Sequence, residues 1–254
     1  MRIVIKVGSA VLSQDGAIAT ERMQALVDFI ALLKKENEVL LVSSGAVSAG
    51  YTKLQIDRSV LANKQALAAI GQPVLMNRYA KKFAEYKIIT SQVLVTAANL
   101  KKEDDICRIQ NTINTLINNG VLPIINENDA TATDELEVGD NDQLSAYIAN
   151  HMGADQLVIL SDIDAYYDKD PRAHEDAQVL KVVSEISEDE LRKDVTPNNL
   201  FATGGIVTKL KAANYLLGVN IDTFLASGFD LSDVRSFLLN KEHKGGTLFS
   251  KGVK

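Results

Sequence analysis

Short apolar runs alternate along the chain with longer segments in which apolar residues recur every three or four positions. The first run, Arg2 to Val7, predicts a β-strand. A helix is then predicted from an N-cap at Thr20, with an apolar face over residues 23–33, and Glu38 to Val42 predicts a second strand. This order of strand, helix and strand is one complete β-α-β unit.

The same alternation continues to the end of the sequence. The alanine-rich stretch over 60–84 has helical propensity, and helical periodicity is found over 106–117 and 206–217. Strand-like runs cover 88–95, 121–125, 156–160, 219–225 and 247–249. Ser187 and Glu190 have the spacing of a capping box. The pattern predicts an α/β protein with a mainly parallel sheet. Because no repeat and no linker rich in proline, glycine or serine interrupts it, we expect one domain over 1–254, with at most a soft division near residue 153.

The charge and the cysteine content exclude several classes of protein. A formal net charge of -6 and a pI near 5.2 argue against nucleic-acid binding, which requires clustered lysine and arginine. The longest apolar runs are far short of the roughly 20 residues that span a bilayer, and Met1 leads directly into a strand, so neither membrane insertion nor export is expected. Cys107 and three histidines are a poor set of zinc ligands. We therefore expect a cytoplasmic protein with no metal site of its own.

Loops that contain glycine follow the first two strands, at the edge of the sheet where open α/β proteins bind ligands. After the first strand, Lys6 supplies a positive charge and Gly8 lets backbone N–H groups approach an anion. After the second, small residues from Ser43 to Gly50 lead toward a helix, an arrangement that can hold phosphate. This is not a Walker A loop, because Tyr51-Thr52 stands where Lys-Ser/Thr is required. A solvated lysine and a tight turn remain open as simpler interpretations.

The run from Asn126 to Asp142 contains seven acidic residues and no lysine or arginine. Such a run is usually a solvated surface segment. Here it lies between a buried strand and a helix of apolar period, and its mixture of asparagine and aspartate suits an ammonium group or metal-bound phosphates. An EF-hand calcium loop is a poor fit, because Asp134 stands at the sixth position counted from Asp129, where glycine is required.

Two further loops complete the set. Ser161 to Tyr167 follows a strand, and its paired tyrosines either hold an adenosine or simply pack. Thr203 to Lys209 opens a helix with a glycine pair and places a lysine in the second turn, which suits a phosphate. Two lysines, three loops with glycine and one acidic loop, all at strand ends, are the parts of a phosphoryl-transfer site that lacks a Walker or protein-kinase signature.

Seven segments resemble the amino acid kinase family and follow its order along nearly the whole chain: IKVGSAVL, VSSGAVSAG, KQALAAIGQ, PIINENDATAT, VGDNDQLSA, SDIDAYYDKDPR and TGGIVTKLKAA. The combination of INENDA with VGDND resembles the members that phosphorylate the side-chain carboxylate of free glutamate, the first step of proline biosynthesis. The resemblance implies a three-layer α/β/α sandwich with a glutamate lobe at about 1–153 and an ATP lobe at about 154–254. It also implies ATP and Mg²⁺ as cofactors.

The resemblance further implies roles for individual residues. Lys6 and Lys209 would contact the phosphates of ATP and Asp142 would hold their ammonium groups, which makes these three the catalytic set. Glutamate would be bound by Ser44, Gly45, Asp129, Asp140 and Asn141. The nucleotide would be bound by Lys6, Gly8, Ser161, Asp162, Thr203, Gly204, Gly205, Ile206, Val207, Thr208 and Lys209, and Gly8 and Gly45 would give backbone N–H donors to the transferring group.

Some features depart from the family pattern. Glu137 stands where relatives often have lysine, and Ala165-Tyr166 where they often have Gly-Leu. Many relatives continue into a PUA domain, which is not expected here. We expect glutamate and ATP as small-molecule substrates, a homo-oligomer, and hand-over of the product to a γ-glutamyl phosphate reductase. Two alternatives stay open, a kinase of the same fold for another small acid and a non-catalytic amino-acid sensor. A nicotinamide oxidoreductase is disfavoured because no G-x-G-x-x-G follows the first strand.

Overall fold

The computed structural model of the chain describes residues 1–14, 16–96, 98–131, 141–192 and 205–252. Its strands are β1 Arg2–Val7, β2 Ser13–Gln14, β3 Ala17–Ile18, β4 Glu38–Ser43, β5 Thr90–Val95, β6 Leu122–Glu127, β7 Gln156–Ser161, β8 Val182–Val183, β9 Asp222–Ser227 and β10 Thr247–Phe249. Its helices are α1 Ser9–Leu12, α2 Thr20–Leu33, α3 Ala46–Tyr51, α4 Leu61–Ala84, α5 Glu103–Asn118, α6 Asn141–His151, α7 Glu188–Arg192, α8 Gly205–Gly218 and α9 Ser232–Leu239, with a 3₁₀ turn at Asn99–Lys101.

Eight strands form one sheet in the order β5-β6-β4-β1-β7-β9-β10-β8, and β2 and β3 form a separate small hairpin. All neighbouring strands of the large sheet are parallel except β9 and β10. In the central pairs, Val7 lies opposite Ser43 of β4 and Leu160 of β7. The loops that follow β1, β4 and β7 therefore begin at the same level of the sheet, and their side chains converge.

Apolar side chains on both faces of the sheet explain its two layers of helices. In β1, Ile3, Ile5 and Val7 point into one core and Val4 into the other, as the two-residue period of a strand requires. Helices α2, α4 and α9 pack into the first core, and α5, α6 and α8 into the second. The predicted three-layer α/β/α sandwich is confirmed. Within the described ranges, no helix combines the length and the apolar character needed to cross a membrane.

The sheet is continuous across the middle of the sequence. Strand β1 pairs along its length with β7, which comes from the second half of the chain, with Ile3 opposite Gln156 and Lys6 opposite Ile159. Ligand loops from both halves therefore meet along one sheet edge. The division into a glutamate lobe and an ATP lobe stays a prediction.

Two helix starts, those of α7 and α2, can be compared with the caps that the sequence predicts. The capping box at Ser187 is confirmed, since its N–H and hydroxyl donate to the Glu190 carboxylate at 2.9 and 2.8 Å. The predicted N-cap at Thr20 is wrong. Helix α2 starts at Thr20 itself with Ala19 in the capping position, and the Thr20 hydroxyl donates to the Ile18 carbonyl at 3.4 Å. The sequence pattern did not predict the short elements α1, β2 and β3, nor α9.

Two glycines allow α3 to lie directly against α4. A Cβ atom at Gly50 would stand 1.9 Å from the Leu67 carbonyl oxygen, and one at Gly71 would stand 1.8 Å from the Ala46 carbonyl oxygen. No side chain fits at either position. Gly50, which the sequence placed in a phosphate-binding loop, is therefore a packing position, and the close contact fixes the start of α3 beside the sheet edge.

Candidate active site

A cavity of about 640 Å³ lies at the carboxyl ends of β1, β4, β6 and β7. The loops that follow these strands form its walls, and helix α8 closes one side. The described residues around it are Lys6, Gly8, Ser9, Ala10, Ser44, Gly45, Ala46, Val47, Ser48, Asn126, Glu127, Asp129, Asn141, Gln143, Ser161, Asp162, Gly205, Thr208, Lys209 and Lys211. This is the edge at which an open parallel sheet binds its ligands. The predicted residues of the first, second, third and fourth loops are thereby brought together.

A buried group of three charges stands at one end of the cavity. The Asp142 carboxylate accepts from Lys6 Nζ at 2.5 Å on one oxygen and from Lys209 Nζ at 3.0 Å on the other. All three residues are at most 4% exposed. The Thr208 hydroxyl donates to the same carboxylate at 2.9 Å, and Lys209 Nζ also donates to the Gly205 carbonyl at 2.8 Å. Because one carboxylate faces two ammonium groups, this end carries an excess positive charge held in a fixed geometry.

A series of hydrogen-bonded amide side chains, called the amide chain below, extends from the wall of the cavity into the protein. Asn141 Nδ2 donates to Ser44 Oγ and to Asn126 Oδ1, both at 2.8 Å. Asn126 in turn donates to Gln72 Oε1 at 3.0 Å, and Gln72 donates to Gln92 Oε1 at 3.1 Å. Connected hydrogen bonds of this kind restrict rotamers. Asn141 and Ser44 therefore present their polar atoms in set positions before any ligand arrives.

Two carboxylates form the opposite end. Glu127 is the last residue of β6 and is 8% exposed, and Asp129 follows it in the loop. Burial, and then the negative charge of Asp129, raise the pKa of Glu127 to about 7. Burial also raises the pKa of Asp129. Within the described part of the chain, no lysine or arginine pairs with either carboxylate, so this end favours a cationic ligand group.

The third side of the cavity follows β7 and opens α8. The Ser161 hydroxyl donates to the Asp162 carboxylate at 2.8 Å, and both residues line the cavity together with Gly205 and Thr208. Lys211, an exposed residue of α8, adds a further cation. The start of a helix beside lysines suits phosphate oxygens.

Three predicted roles, those of Gly8, Ile206 and Val207, need correction or restriction. The Gly8 N–H donates to the Leu160 carbonyl at 3.0 Å, so it is already occupied and does not face the cavity as a free donor. Ile206 and Val207 were predicted with the nucleotide site, but their side chains are buried in the core beneath α8. Gly45 keeps its expected place in the wall, and its φ of 105° explains why glycine stands there.

The departure at Ala165-Tyr166 lies outside the cavity wall. Both residues are buried, and the Tyr166 ring packs on Phe249 at 6.1 Å between centroids. The Tyr166 hydroxyl donates to the Glu190 carboxylate. The packing interpretation of this tyrosine is therefore correct. Asp140, Thr203 and Gly204, together with the departure at Glu137, lie outside the described residues.

Several residues of the site had no role in the sequence interpretation. Glu127 was noted only as one acid among seven, and Gln72, Asn126, Gln143 and Lys211 were not singled out. For Glu127, the available signal in the sequence was a buried strand that ends in two polar residues, Asn126 and Glu127. For Lys211 the signal was a second lysine two positions after Lys209.

Paired lysines, a glycine turn and the start of a helix at the carboxyl ends of parallel strands define a class of enzyme, the small-molecule kinases that transfer phosphoryl groups without a Walker loop. The chain belongs to the amino acid kinase family, whose model matches residues 1–227.

Two relatives in this family are similar over nearly their whole length. A glutamate 5-kinase from Wolinella succinogenes is 53% identical over 256 residues, which is 99% of this chain and 98% of the relative. A glutamate 5-kinase from Leishmania donovani is 52% identical over 99% of this chain and 96% of the relative. Among solved structures, an isopentenyl phosphate kinase superposes with a TM-score of 0.70 at 16% identity over 98% and 100% of the two chains. The UMP kinase of Bacillus anthracis gives 0.65 at 14% identity over 99% and 96%. These two likenesses concern the fold alone.

Proposed function

We propose that this chain transfers the γ-phosphoryl group of ATP to the side-chain carboxylate of L-glutamate. The products are γ-glutamyl 5-phosphate and ADP, and the reaction is the first step of proline biosynthesis. The observation that carries the proposal is the buried group of Lys6, Asp142 and Lys209 at one end of a cavity whose other end is acidic. The relatives named glutamate 5-kinase support the choice of acceptor.

The main obstacle to this reaction is repulsion between anions. A glutamate side chain has an ordinary pKa near 4.3, so it is already a nucleophile at neutral pH and needs no general base. Each pair of unit negative charges at about 4 Å costs roughly 4 kcal/mol at an effective dielectric constant near 20. Lys6 and Lys209 offset this repulsion and stabilise the oxygens of the transferring group. Asp142 positions the two lysines and takes no proton.

The acceptor lies between the amide chain and the acidic end. Ser44, Gly45 and Asn141 bind its carboxylate oxygens, because the amide chain already orients Asn141 and Ser44. Asp129 accepts a hydrogen bond from the α-ammonium group. The reacting carboxylate is thereby directed toward the lysines.

The nucleotide occupies the side of the cavity formed by β7 and α8. Ser161, Asp162, Gly205 and Thr208 line this side, and Lys211 at the rim contributes to the charge that attracts phosphates. Mg²⁺ accompanies ATP in enzymes of this kind. The described residues include no group of three or more His, Cys, Asp and Glu side chains that would hold a metal ion. The ion would enter with the phosphates of ATP and add positive charge beside them, and no step above depends on a metal site in the protein.

The chemical instability of the product indicates which reaction should follow. An acyl phosphate is a mixed anhydride that water hydrolyses readily, so a γ-glutamyl phosphate reductase should take it over quickly. We also propose that the chain works as a homo-oligomer.

A hydroxylamine trap tests the function directly. With ATP and Mg²⁺, the purified protein should form a hydroxamate from glutamate and far less from aspartate, N-acetylglutamate or carbamate. Equal or faster turnover of one of the other three would assign a different acceptor. Glutamate binding without hydroxamate from any acid would instead support a non-catalytic sensor.

A further inference from the structure

A second carboxylate faces the part of the cavity in which the acceptor lies. Glu127 is more than nine-tenths buried and lines the cavity. Its backbone N–H donates to Asn126 Oδ1 at 2.9 Å, which holds the end of β6 in place. Among the described residues, no side chain donates a hydrogen bond to the Glu127 carboxylate. A carboxylate that faces a cavity with no cation of the described residues beside it is stabilised when a ligand supplies a hydrogen-bond donor or a positive charge.

The described residues that surround Glu127 in the smaller cavity include one other charged side chain, Asp129, and several neutral groups. A smaller cavity of about 150 Å³ adjoins the site, and Glu127 and Asp129 line both. Around the two acids, α3 contributes Ala46, α4 contributes Gln72, and β5 contributes Gln92. In the described ranges, Asp129 is the titratable group on this side. Three cations, Lys6 of β1 and Lys209 and Lys211 of α8, line the main cavity as well, and β4 separates β1 from β6, the strand that ends at Glu127.

We propose that Glu127 is a specificity-determining residue that receives the ammonium group of the acceptor together with Asp129, so that the site selects an acid with a free amine over the same acid without one. The proposal rests on the function proposed above and adds a residue to it. One ammonium group placed between two carboxylates neutralises the charge that their burial leaves uncompensated. A neutral or acylated amine cannot do this.

The proposal requires a change in the protonation of Glu127 on binding. Because burial and Asp129 raise the pKa of the free residue to about 7, roughly half of the molecules carry a proton there at pH 7. An adjacent ammonium group favours the carboxylate form, so binding expels that proton into solvent.

Calorimetry of glutamate binding measures this proton directly and needs no variant. Titrations near neutral pH in buffers of different ionisation enthalpy should give a net release of protons when glutamate binds, and this release should decrease as the pH is raised further. Glu127→Gln should bind glutamate with a Kd at least about tenfold higher, and its proton release should be close to zero. An unchanged Kd for glutamate in Glu127→Gln, or proton release from that variant equal to the release from the parent protein, would overturn the proposal.

The substrate preference provides a second test. Glutarate has the same carbon chain and two carboxylates but no amine. The ratio of kcat/KM for glutamate to that for glutarate should fall at least about tenfold in Glu127→Gln. In Asp176→Asn, which removes an exposed carboxylate paired with Lys169 and not part of the cavity wall, the ratio should stay unchanged. An unchanged ratio in Glu127→Gln would overturn the proposal while leaving the kinase activity intact. Absence of hydroxamate from the parent protein with glutamate would instead contradict the proposed function.

Discussion

The two ends of the cavity differ in whether their charged side chains are paired with charges of opposite sign among the described residues. At the lysine end, Lys6, Asp142 and Lys209 satisfy one another within the folded chain, with N–O distances of 2.5 and 3.0 Å. At the acidic end, Glu127 and Asp129 face the cavity without a basic partner in the described ranges. The first end is complete before a ligand binds. In the proposed complex, the ammonium group of the acceptor completes the second.

This difference corresponds to two tasks in phosphoryl transfer. Groups that stabilise charge in the transition state act best when they are already oriented, because no reorganisation is then needed during the reaction. Groups that choose the substrate act best when the wrong substrate leaves them unsatisfied. The lysine end should therefore affect turnover and folding, and the acidic end should affect binding and pH dependence.

Among the substitutions considered, Asp142→Asn should cause the largest loss in the free energy of unfolding. Asp142→Asn keeps the shape of the side chain but removes the charge that Lys6 and Lys209 share, and loss of one partner from a buried ion pair costs about 3–5 kcal/mol. The free energy of unfolding in urea should fall by this amount. The control is Glu188→Gln, which breaks the exposed pair with Arg192 and should cost less than about 1 kcal/mol. Similar losses in both variants would show that burial of the charges has no special effect.

The acidic end should make the free energy of unfolding of the unliganded protein depend on pH. The pKa of Glu127 is about 7 in the folded chain against an ordinary 4.5, so the folded state binds more protons between these values. The contribution of Glu127 is fully present below pH 4.5 and is lost as the pH rises through 7.

Urea unfolding at several pH values, with Glu127→Gln as the reference, measures this loss. The stability of the parent should decline relative to the variant as the pH rises. Parallel profiles would mean that Glu127 is solvated and ionised throughout.

The fold could be predicted from the sequence because each main element has a strong period of its own. The run Arg2 to Val7 and the stripe over 206–217 both coincide with elements of the structure, β1 and α8. Thr20 could not be assigned correctly, because whether a threonine caps a helix or starts it depends on the backbone of Ala19. The packing role of Gly50 could not be recognised either, because it depends on a contact with α4, which is close in space but not adjacent in the local sequence.

The site was partly predictable for a similar reason. Lysines and glycines at strand ends indicate phosphate chemistry wherever the strands are parallel, so Lys6 and Lys209 could be selected from the sequence. Glu127 could not be separated from the other acids of its loop. Its distinction is burial, and burial is set by the neighbouring α4 and β5, which are distant in sequence.

Two lysines of α8 allow the kinetic effect of a buried positive charge to be compared with that of an exposed one at the rim of the cavity. Lys209→Ala removes an ammonium group most needed in the transition state, and loss of one such contact lowers kcat by about 100-fold. Lys211→Ala removes an exposed cation at the rim of the same cavity and should lower kcat/KM for ATP by no more than about tenfold. Steady-state rates with saturating glutamate distinguish the two. Near-normal turnover of Lys209→Ala would contradict its assignment to the phosphates.

The smallest effect is expected at Asp129, where the change should appear in the KM for glutamate. The contact with the ammonium group exists before and during transfer, so its loss raises KM and leaves kcat nearly unchanged. Asp129→Asn should raise KM by roughly tenfold, about 1.4 kcal/mol, because Glu127 still provides a carboxylate for the ammonium group. The variant also removes a charge that raises the pKa of Glu127, so Glu127 should titrate at lower pH. The KM for ATP serves as the internal control and should stay constant. A large fall in kcat at constant KM would instead place Asp129 among the groups that act only in the transition state, and the contrast between the two ends of the cavity would then be lost.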